Sequence, residues 1–72
     1  MVFGAESRQE QARRLFDSAD FEGSLQSLLQ IPRKEPGVYD LIGRNYYMLG
    51  DYKKATQAFQ EAIAAQPADS DR

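Results

Sequence analysis

The sequence predicts an all-α fold in which four antiparallel helices form two helix–turn–helix hairpins stacked as a short α-solenoid. Apolar residues recur at steps of three and four along most of the chain, which is the spacing of one helix face. An Asp followed by an aromatic residue occurs at Asp20-Phe21 and again at Asp51-Tyr52. Pro36 and Pro67 follow these pairs at equal distances. We therefore expect helices near residues 6–18, 21–31, 37–49 and 52–66.

The first two predicted helices carry short apolar stripes. The turn between them is predicted at Asp20-Phe21, because Asp is a favoured N-cap residue. Pro32 falls inside the last turn of the second helix and should truncate or kink it. The apolar positions are Ala12, Leu15, Phe16 and Ala19 in the first helix and Leu25, Leu28 and Leu29 in the second.

The third and fourth helices have stronger signals. Pro36 suits a first helical turn, where its missing N–H needs no partner. Gly50 should end the third helix, Asp51 should cap the fourth, and Pro67 should stop that helix after Gln66. Gly43 lies on the apolar face, where the absence of a side chain lets another helix approach closely. The stripes comprise Tyr39, Ile42, Tyr46 and Leu49 in the third helix and Tyr52, Ala55, Phe59, Ala62 and Ile63 in the fourth.

The order Tyr39-x-x-Ile42-Gly43-x-x-Tyr46, then Ala55-x-x-x-Phe59, then Pro67 resembles the tetratricopeptide repeat. The resemblance implies one clear repeat at about 36–69, whose hairpin spans 36–67, and a degenerate copy at about 5–35. In that copy, Arg8 and Gln11 replace the expected aromatic residue and Leu, and Ala12 replaces the Gly. The alternative is an unrelated helical hairpin at 6–35 that shares the turn. Residues 1–5 are interpreted as a flexible segment and residues 68–72 as a polar tail.

Composition excludes several classes of function. The chain contains no His and no Cys, so the commonest general base, the thiol nucleophile and most transition-metal ligands are missing. We expect neither catalysis nor a cofactor or metal. A net charge of −2 over 72 residues argues against nucleic acid as a partner. The longest purely apolar stretch, residues 62–65, is too short for membrane insertion, so the composition is that of a small soluble domain.

Hydroxyl and acidic side chains are interpreted as structural. No neighbour could activate the serines, and we place them in helix caps or on polar faces: Ser7, Ser18, Ser24, Ser27 and Ser70. The acidic residues at the first helix junction lack the spacing of a calcium loop and are assigned to capping: Asp17, Asp20 and Glu22.

Function is therefore expected in a surface. In the resembled family, the first helices of successive repeats line a concave groove that holds a peptide or a partner helix. Carried over to this chain, the groove would present Gln9, Arg13, Phe16 and Asp17 from the first helix and Asp40, Arg44, Tyr47 and Met48 from the third.

Two arginines beside aromatic residues favour a peptide that carries a carboxylate and an apolar or aromatic side chain. Phe16 and Tyr47 could instead belong partly to the core. Asp40 would repel a terminal carboxylate, which disfavours a receptor for chaperone tails. The chain is thus expected to be an interaction module, a segment of a longer repeat protein. The alternative is a structural scaffold that self-associates through an exposed apolar edge into a homo-oligomer.

Overall fold

The computed structural model describes residues 7–66, which form two antiparallel helical hairpins. Helices α1 (Arg8–Asp17) and α2 (Phe21–Leu29) make the first hairpin, and α3 (Pro36–Met48) and α4 (Tyr52–Ala64) make the second. The predicted all-α fold is confirmed: residues 7–66 contain no strand, and each helix boundary lies within two residues of its predicted position. The segments predicted at 1–5 and 68–72, Ser70 and the helix stop at Pro67 lie outside the described residues.

Local capping sets the limits of the first hairpin. Ser7 and Glu10 form a capping box at the start of α1, in which the backbone N–H of Glu10 donates to Ser7 Oγ at 3.0 Å. The backbone N–H of Gly23 donates to Asp20 Oδ1 at 3.0 Å and caps α2. The predicted truncation before Pro32 occurs, because α2 ends at Leu29.

The second hairpin follows the predicted signals closely. Asp51 caps α4 by accepting a hydrogen bond from the Lys54 N–H at 3.2 Å, and Gly50 has a φ of +87°. A Cβ built on Gly43 would lie 2.6 Å from Phe59 Cε1. The missing side chain at Gly43 is therefore what lets the Phe59 ring pack directly on α3.

The two turns have the same geometry when Asp20 is aligned with Asp51. The backbone N–H of Asp20 donates to the Leu15 carbonyl at 2.8 Å, and that of Asp51 donates to the Tyr46 carbonyl at 2.9 Å. Ala19, with a φ of +66°, occupies the left-handed position that Gly50 fills in the second turn. Its assignment to the apolar stripe of the first helix was therefore wrong, since Ala19 belongs to the turn and is exposed.

Aromatic contacts repeat in the same alignment. The rings of Phe16 and Phe21 have centroids 5.3 Å apart, and those of Tyr47 and Tyr52 are 5.2 Å apart. Each pair joins the last turn of one helix to the first turn of the next. The two hairpins are thus built on one local plan despite their different sequences.

A polar seam crosses the apolar core where the hairpins meet. Ser24 Oγ donates to the Ala12 carbonyl at 2.7 Å, and Asn45 Nδ2 donates to Ser24 Oγ at 2.9 Å and to the Leu41 carbonyl at 3.1 Å. The seam therefore links α1, α2 and α3. The surrounding apolar residues are Ala12, Leu25, Leu28, Val38, Leu41, Ile42 and Ala58.

The placement of Ser24 and Ser27 on polar faces was wrong. Ser24 is fully buried, and Ser27 is 6% exposed and donates to the Arg8 carbonyl at 3.0 Å. Both serines face α1 from α2. A short hydroxyl side chain fits this close helix contact because a backbone carbonyl of the facing helix accepts its hydrogen bond.

Several residues of the predicted apolar stripes are exposed. Leu49, Tyr52 and Ile63 have exposed fractions of 41, 61 and 69%. Tyr52 and Ile63 lie on the side of α4 turned away from the core, and no described helix covers that side. They do not contribute to the core as the spacing predicted.

Candidate functional site

The predicted groove residues lie on the exposed faces of α1 and α3, in separate clefts. Gln9 and Arg13 line a first cleft of about 400 Å³ between the N-terminal halves of these helices. On α3 this cleft is bounded by Gly37 and Leu41. A Cβ built on Gly37 would lie 3.5 Å from Gln9 Nε2, so the two helices approach closely here.

Four of the predicted residues come together in a second cleft of about 420 Å³. Its walls are apolar apart from the Arg44 guanidinium and the Tyr47 hydroxyl. Tyr47 and Met48 are 58% and 52% exposed, so their side chains are available for contact. The cleft is lined by Phe16, Arg44, Tyr47, Met48 and Phe59. We call this set the aromatic cleft.

Phe59 is the member of the aromatic cleft that the sequence did not identify. Its place in the Ala55-x-x-x-Phe59 pattern assigned it to the core, and it is half-buried there against Gly43. The same half-burial leaves part of its ring for the cleft. Gly43 was the sequence signal that could have identified Phe59 as a cleft residue, since a glycine on the facing helix indicated that the Phe59 ring lies close to the surface of α3.

Within residues 7–66, Arg44 forms an intrahelical ion pair with Asp40. Arg44 Nε lies 2.9 Å from Asp40 Oδ2, one helical turn away. The two side chains are 57% and 46% exposed, so water competes with the pair. Such pairs contribute only about 0.3–0.5 kcal/mol. Breaking the pair itself therefore costs little free energy.

Arg13 and Asp40 lie apart from the aromatic cleft. Arg13 is exposed, and no hydrogen bond or ion pair within residues 7–66 engages it. Asp40 lines a third cleft between α3 and α4, with Pro36 and Ile63 at its rim. Arg13 and Arg44 thus line different clefts, and Asp17 lines none of the three.

Phe16 and Tyr47 differ in burial. Phe16 is partly buried and packs on the core cluster, whereas most of Tyr47 is exposed. The alternative that these residues belong partly to the core therefore holds for Phe16 only. Tyr47 takes the equivalent position in the second hairpin, where the described chain provides no further helix to cover it.

The opposite side of the molecule has a cleft that the sequence did not indicate. It lies between α2 and α4 over α3, has a volume of about 340 Å³, and has Lys34 and Lys54 at its rim. Lys54 Nζ lies 5.7 Å from the centroid of the Tyr46 ring, a cation–π distance. Lys34 Nζ is already engaged by the Ile31 carbonyl at 2.6 Å. Both ammonium groups therefore serve the fold.

Two other kinds of site are absent from residues 7–66. There is no group of three His, Cys, Asp or Glu side chains that could hold a metal ion. No helix in this range is long and apolar enough to cross a membrane.

Stacked helical hairpins that present open clefts define the class of helical-repeat proteins. Within that class, residues 36–69 match the family model described as Tetratricopeptide repeat, so this part of the chain is a tetratricopeptide repeat. Repeats of this family generally mediate protein–protein interaction. No curated protein and no solved structure matches the chain.

Proposed function

We propose that this protein is a non-catalytic binding module that holds a peptide or a partner helix in the aromatic cleft. The ligand carries an apolar or aromatic side chain and, next to it, a carboxylate. The observation that carries the proposal is the position of Arg44 beside Tyr47 and Met48, all exposed around one concave apolar surface.

Each part of the cleft supports a specific contact. Tyr47 and Met48 supply apolar surface whose burial stabilises a complex, and the phenol of Tyr47 can also donate a hydrogen bond. The Phe16 and Phe59 rings are already partly fixed by core packing, so little side-chain entropy is lost when a ligand covers them. Arg44 can bind a carboxylate with two parallel N–H···O bonds after it leaves Asp40.

Arg13 offers a second anchor in the neighbouring cleft. Its guanidinium has no partner within residues 7–66, so a ligand carboxylate can bind it without first breaking an ion pair. The two arginines lie on adjacent helices in different clefts. A ligand that engages both therefore needs two acidic groups separated by the part that fills the aromatic cleft.

The residue types present support the non-catalytic part of the proposal. The sequence contains neither His nor Cys, and the serines of known position are engaged with backbone carbonyls or caps, as at Ser7 and Ser24. The aromatic cleft is lined by no His, Asp, Glu, Lys or Cys side chain, which are common acid–base groups of enzymes.

The test is selection of binders from a peptide library, followed by titration of a selected peptide. We expect selected peptides to combine aromatic and acidic residues. The double substitution Arg13→Ala with Arg44→Ala should weaken binding about tenfold or more, equivalent to about 1.4 kcal/mol, and added salt should weaken the parent complex. Arg33→Ala is the matched control, because Arg33 is exposed outside these clefts. Identical titrations of parent and double variant would refute the assignment of the cleft.

A further inference from the structure

One side of α4 carries an apolar stripe that α3 covers only in part, through Tyr47 beside Tyr52 and Gly43 against Phe59. Tyr52, Thr56, Phe59 and Ile63 follow one another at steps of four, three and four residues, so they share one helix face. Tyr52 and Ile63 are 61% and 69% exposed, and Thr56 is exposed as well. We call these four residues the outer stripe. Three of the four are large apolar or aromatic side chains, which is unusual for a free helix surface.

The first hairpin shows what this kind of stripe does in the fold. With Asp20 aligned on Asp51, the outer stripe corresponds to Phe21, Leu25 and Leu28 on α2, followed by Pro32. Leu25 is 8% exposed and Leu28 is fully buried, because α3 packs on this side of α2. The outer stripe is therefore the equivalent of an established helix-docking surface.

The first helix of another copy is a poor occupant for the outer stripe. Helix α3 docks on α2 with a buried face that includes Val38, Leu41, Ile42 and Asn45. In the same alignment, the equivalent positions of the first hairpin are Ser7, Glu10, Gln11 and Arg14. Head-to-tail stacking of copies would bury these polar and charged groups against apolar side chains, at a large desolvation cost.

The outer stripe is, in contrast, complementary to itself. Two antiparallel copies of α4 that cross midway between Gln57 and Ala58 place Tyr52 opposite Ile63 of the second copy. The same arrangement places the small Thr56 opposite the large Phe59. An aromatic residue thus meets an aliphatic one, and a small side chain meets a bulky one, which is the interdigitation that helix packing requires.

Charge does not oppose this arrangement. The stripe itself is uncharged, and the nearest flanking cation is Lys53. In the antiparallel pair the two Lys53 residues are offset by nine positions, or about 14 Å along the helix axis. That distance exceeds the Debye length of about 8 Å at physiological ionic strength, so their repulsion is screened.

We propose that two copies of this chain associate through the outer stripe as a two-fold symmetric, antiparallel α4–α4 dimer. The apolar area of the stripe is a few hundred Å² per copy, below the roughly 800 Å² of a standard interface. The dimer is accordingly weak and dissociates on dilution. The outer stripe shares Phe59 with the aromatic cleft, whereas Thr56 and Ile63 lie outside that cleft, so variants at these two positions test association separately from peptide binding.

The first experiment is sedimentation equilibrium on the full chain from micromolar to millimolar concentration. We expect a reversible monomer–dimer equilibrium. Thr56→Arg and Ile63→Arg should each raise the dissociation constant at least about tenfold. Gln57→Arg is the matched control, with the same added charge at an exposed α4 position on another face. Circular dichroism should show unchanged helicity in all three variants.

Two results would overturn the proposal. A parent chain that stays monomeric at millimolar concentration has no such interface. An effect of Gln57→Arg as large as that of Ile63→Arg would mean that the added charge, and not the stripe, controls association. Neither result bears on titration of the Arg13 and Arg44 variants, so the two proposals fail separately.

The second experiment tests the antiparallel register. The natural chain has no cysteine, so Tyr52→Cys and Ile63→Cys each introduce a single thiol at an exposed position. A disulfide needs Cα atoms within about 7 Å. In the proposed dimer, identical thiols are offset by eleven residues, about 16 Å along the axis, whereas unlike thiols face each other. Oxidation of the mixture should give the mixed disulfide predominantly. Predominant disulfides between identical chains, or no cross-link, would refute the arrangement.

Discussion

Asn45→Asp should destabilise the protein in a strongly pH-dependent way. Asn45 is fully buried, and its Nδ2 donates to Ser24 Oγ and to the Leu41 carbonyl. Its Oδ1 has no hydrogen-bond partner in the described part of the chain. The substitution keeps the shape of the side chain and replaces the donor with a carboxylate oxygen. That oxygen would face the Leu41 carbonyl, which can only accept.

The magnitude follows from burial. Fully buried carboxyl groups have pKa values as much as about 3–5 above the ordinary value. At about 1.36 kcal/mol per pKa unit, the lower end corresponds to about 4 kcal/mol near neutral pH. Since folding raises the pKa of the introduced carboxyl, stability is retained below the unfolded pKa of about 3.9 and is lost as the pH rises. A domain of 72 residues has a total stability of about 4–11 kcal/mol, so much of it is at risk.

Urea denaturation followed by circular dichroism at pH 4 and pH 7, with the parent measured at each pH, tests this reasoning. The loss relative to the parent should be about 3 kcal/mol larger at pH 7 than at pH 4. Asn45→Ala is the control and should lose the same free energy of unfolding, relative to the parent, at both pH values, because alanine introduces no titratable group while it removes the same two hydrogen bonds. Equal losses for Asn45→Asp at the two pH values would show that water reaches the amide.

The remaining predictions concern the free energy of unfolding, and each is measured by urea or thermal denaturation. Gly43→Leu should cost about 1–3 kcal/mol by overpacking against Phe59. Phe59→Ala should cost about 2 kcal/mol, less than the same substitution of a fully buried Phe, because Phe59 is half-buried. In the double variant, Phe59→Ala should relieve the overpacking that Gly43→Leu causes. Additive losses would mean that the side chains at positions 43 and 59 do not meet. Asp51→Ala removes the α4 cap and should cost about 0.5–2 kcal/mol; an unchanged melting temperature would contradict the capping role. Ala19→Gly should stabilise the protein by about 0.5–1 kcal/mol, because residue 19 has a left-handed backbone conformation that glycine adopts without strain. Gly50→Ala should destabilise the protein for the same reason. Destabilisation by Ala19→Gly would refute the turn geometry.

The hairpins could be predicted from the sequence because their determinants are local. Asp20 and Asp51 each cap a helix through a backbone N–H three residues later, and both caps are visible as sequence signals. Gly43 also indicated a close helix contact, which the Phe59 ring makes. The error at Ala19 has a local cause, since apolar spacing extended the first helix into a turn where Gly is the expected residue.

The core seam could not be predicted, because its partners come from different helices. Ser24 and Asn45 are polar, and helical periodicity assigns polar residues to the surface. Their burial depends on carbonyls and hydroxyls contributed by neighbouring helices, at Ala12 for Ser24 and at Ser24 for Asn45. A pattern that records only hydropathy contains no such information.

The candidate site could be predicted only in part, because one of its determinants is local and the other depends on helix packing. Arg44, Tyr47 and Met48 lie on one turn of one helix, so their convergence follows from spacing alone. The separation of Arg13 from Arg44 depends on the placement of α1 relative to α3. That placement is set by the packing of both helices on α2, and repeat spacing does not determine it.

The exposed face of α4 is apolar and the exposed face of α1 is polar, so an additional hairpin can pack more easily at the α4 end of the fold than at the α1 end. A hairpin gained by duplication of the segment around α3 and α4 would meet apolar side chains at Tyr52 and Ile63 and could pack at once. On the opposite face, a new hairpin would meet Glu10 and Arg14 and would need compensating mutations first. Lengthening of such an array by gene duplication is therefore accessible from the α4 face and hindered at the α1 face. In a longer relative, the repeats toward the α4 end should therefore be the more recently duplicated ones.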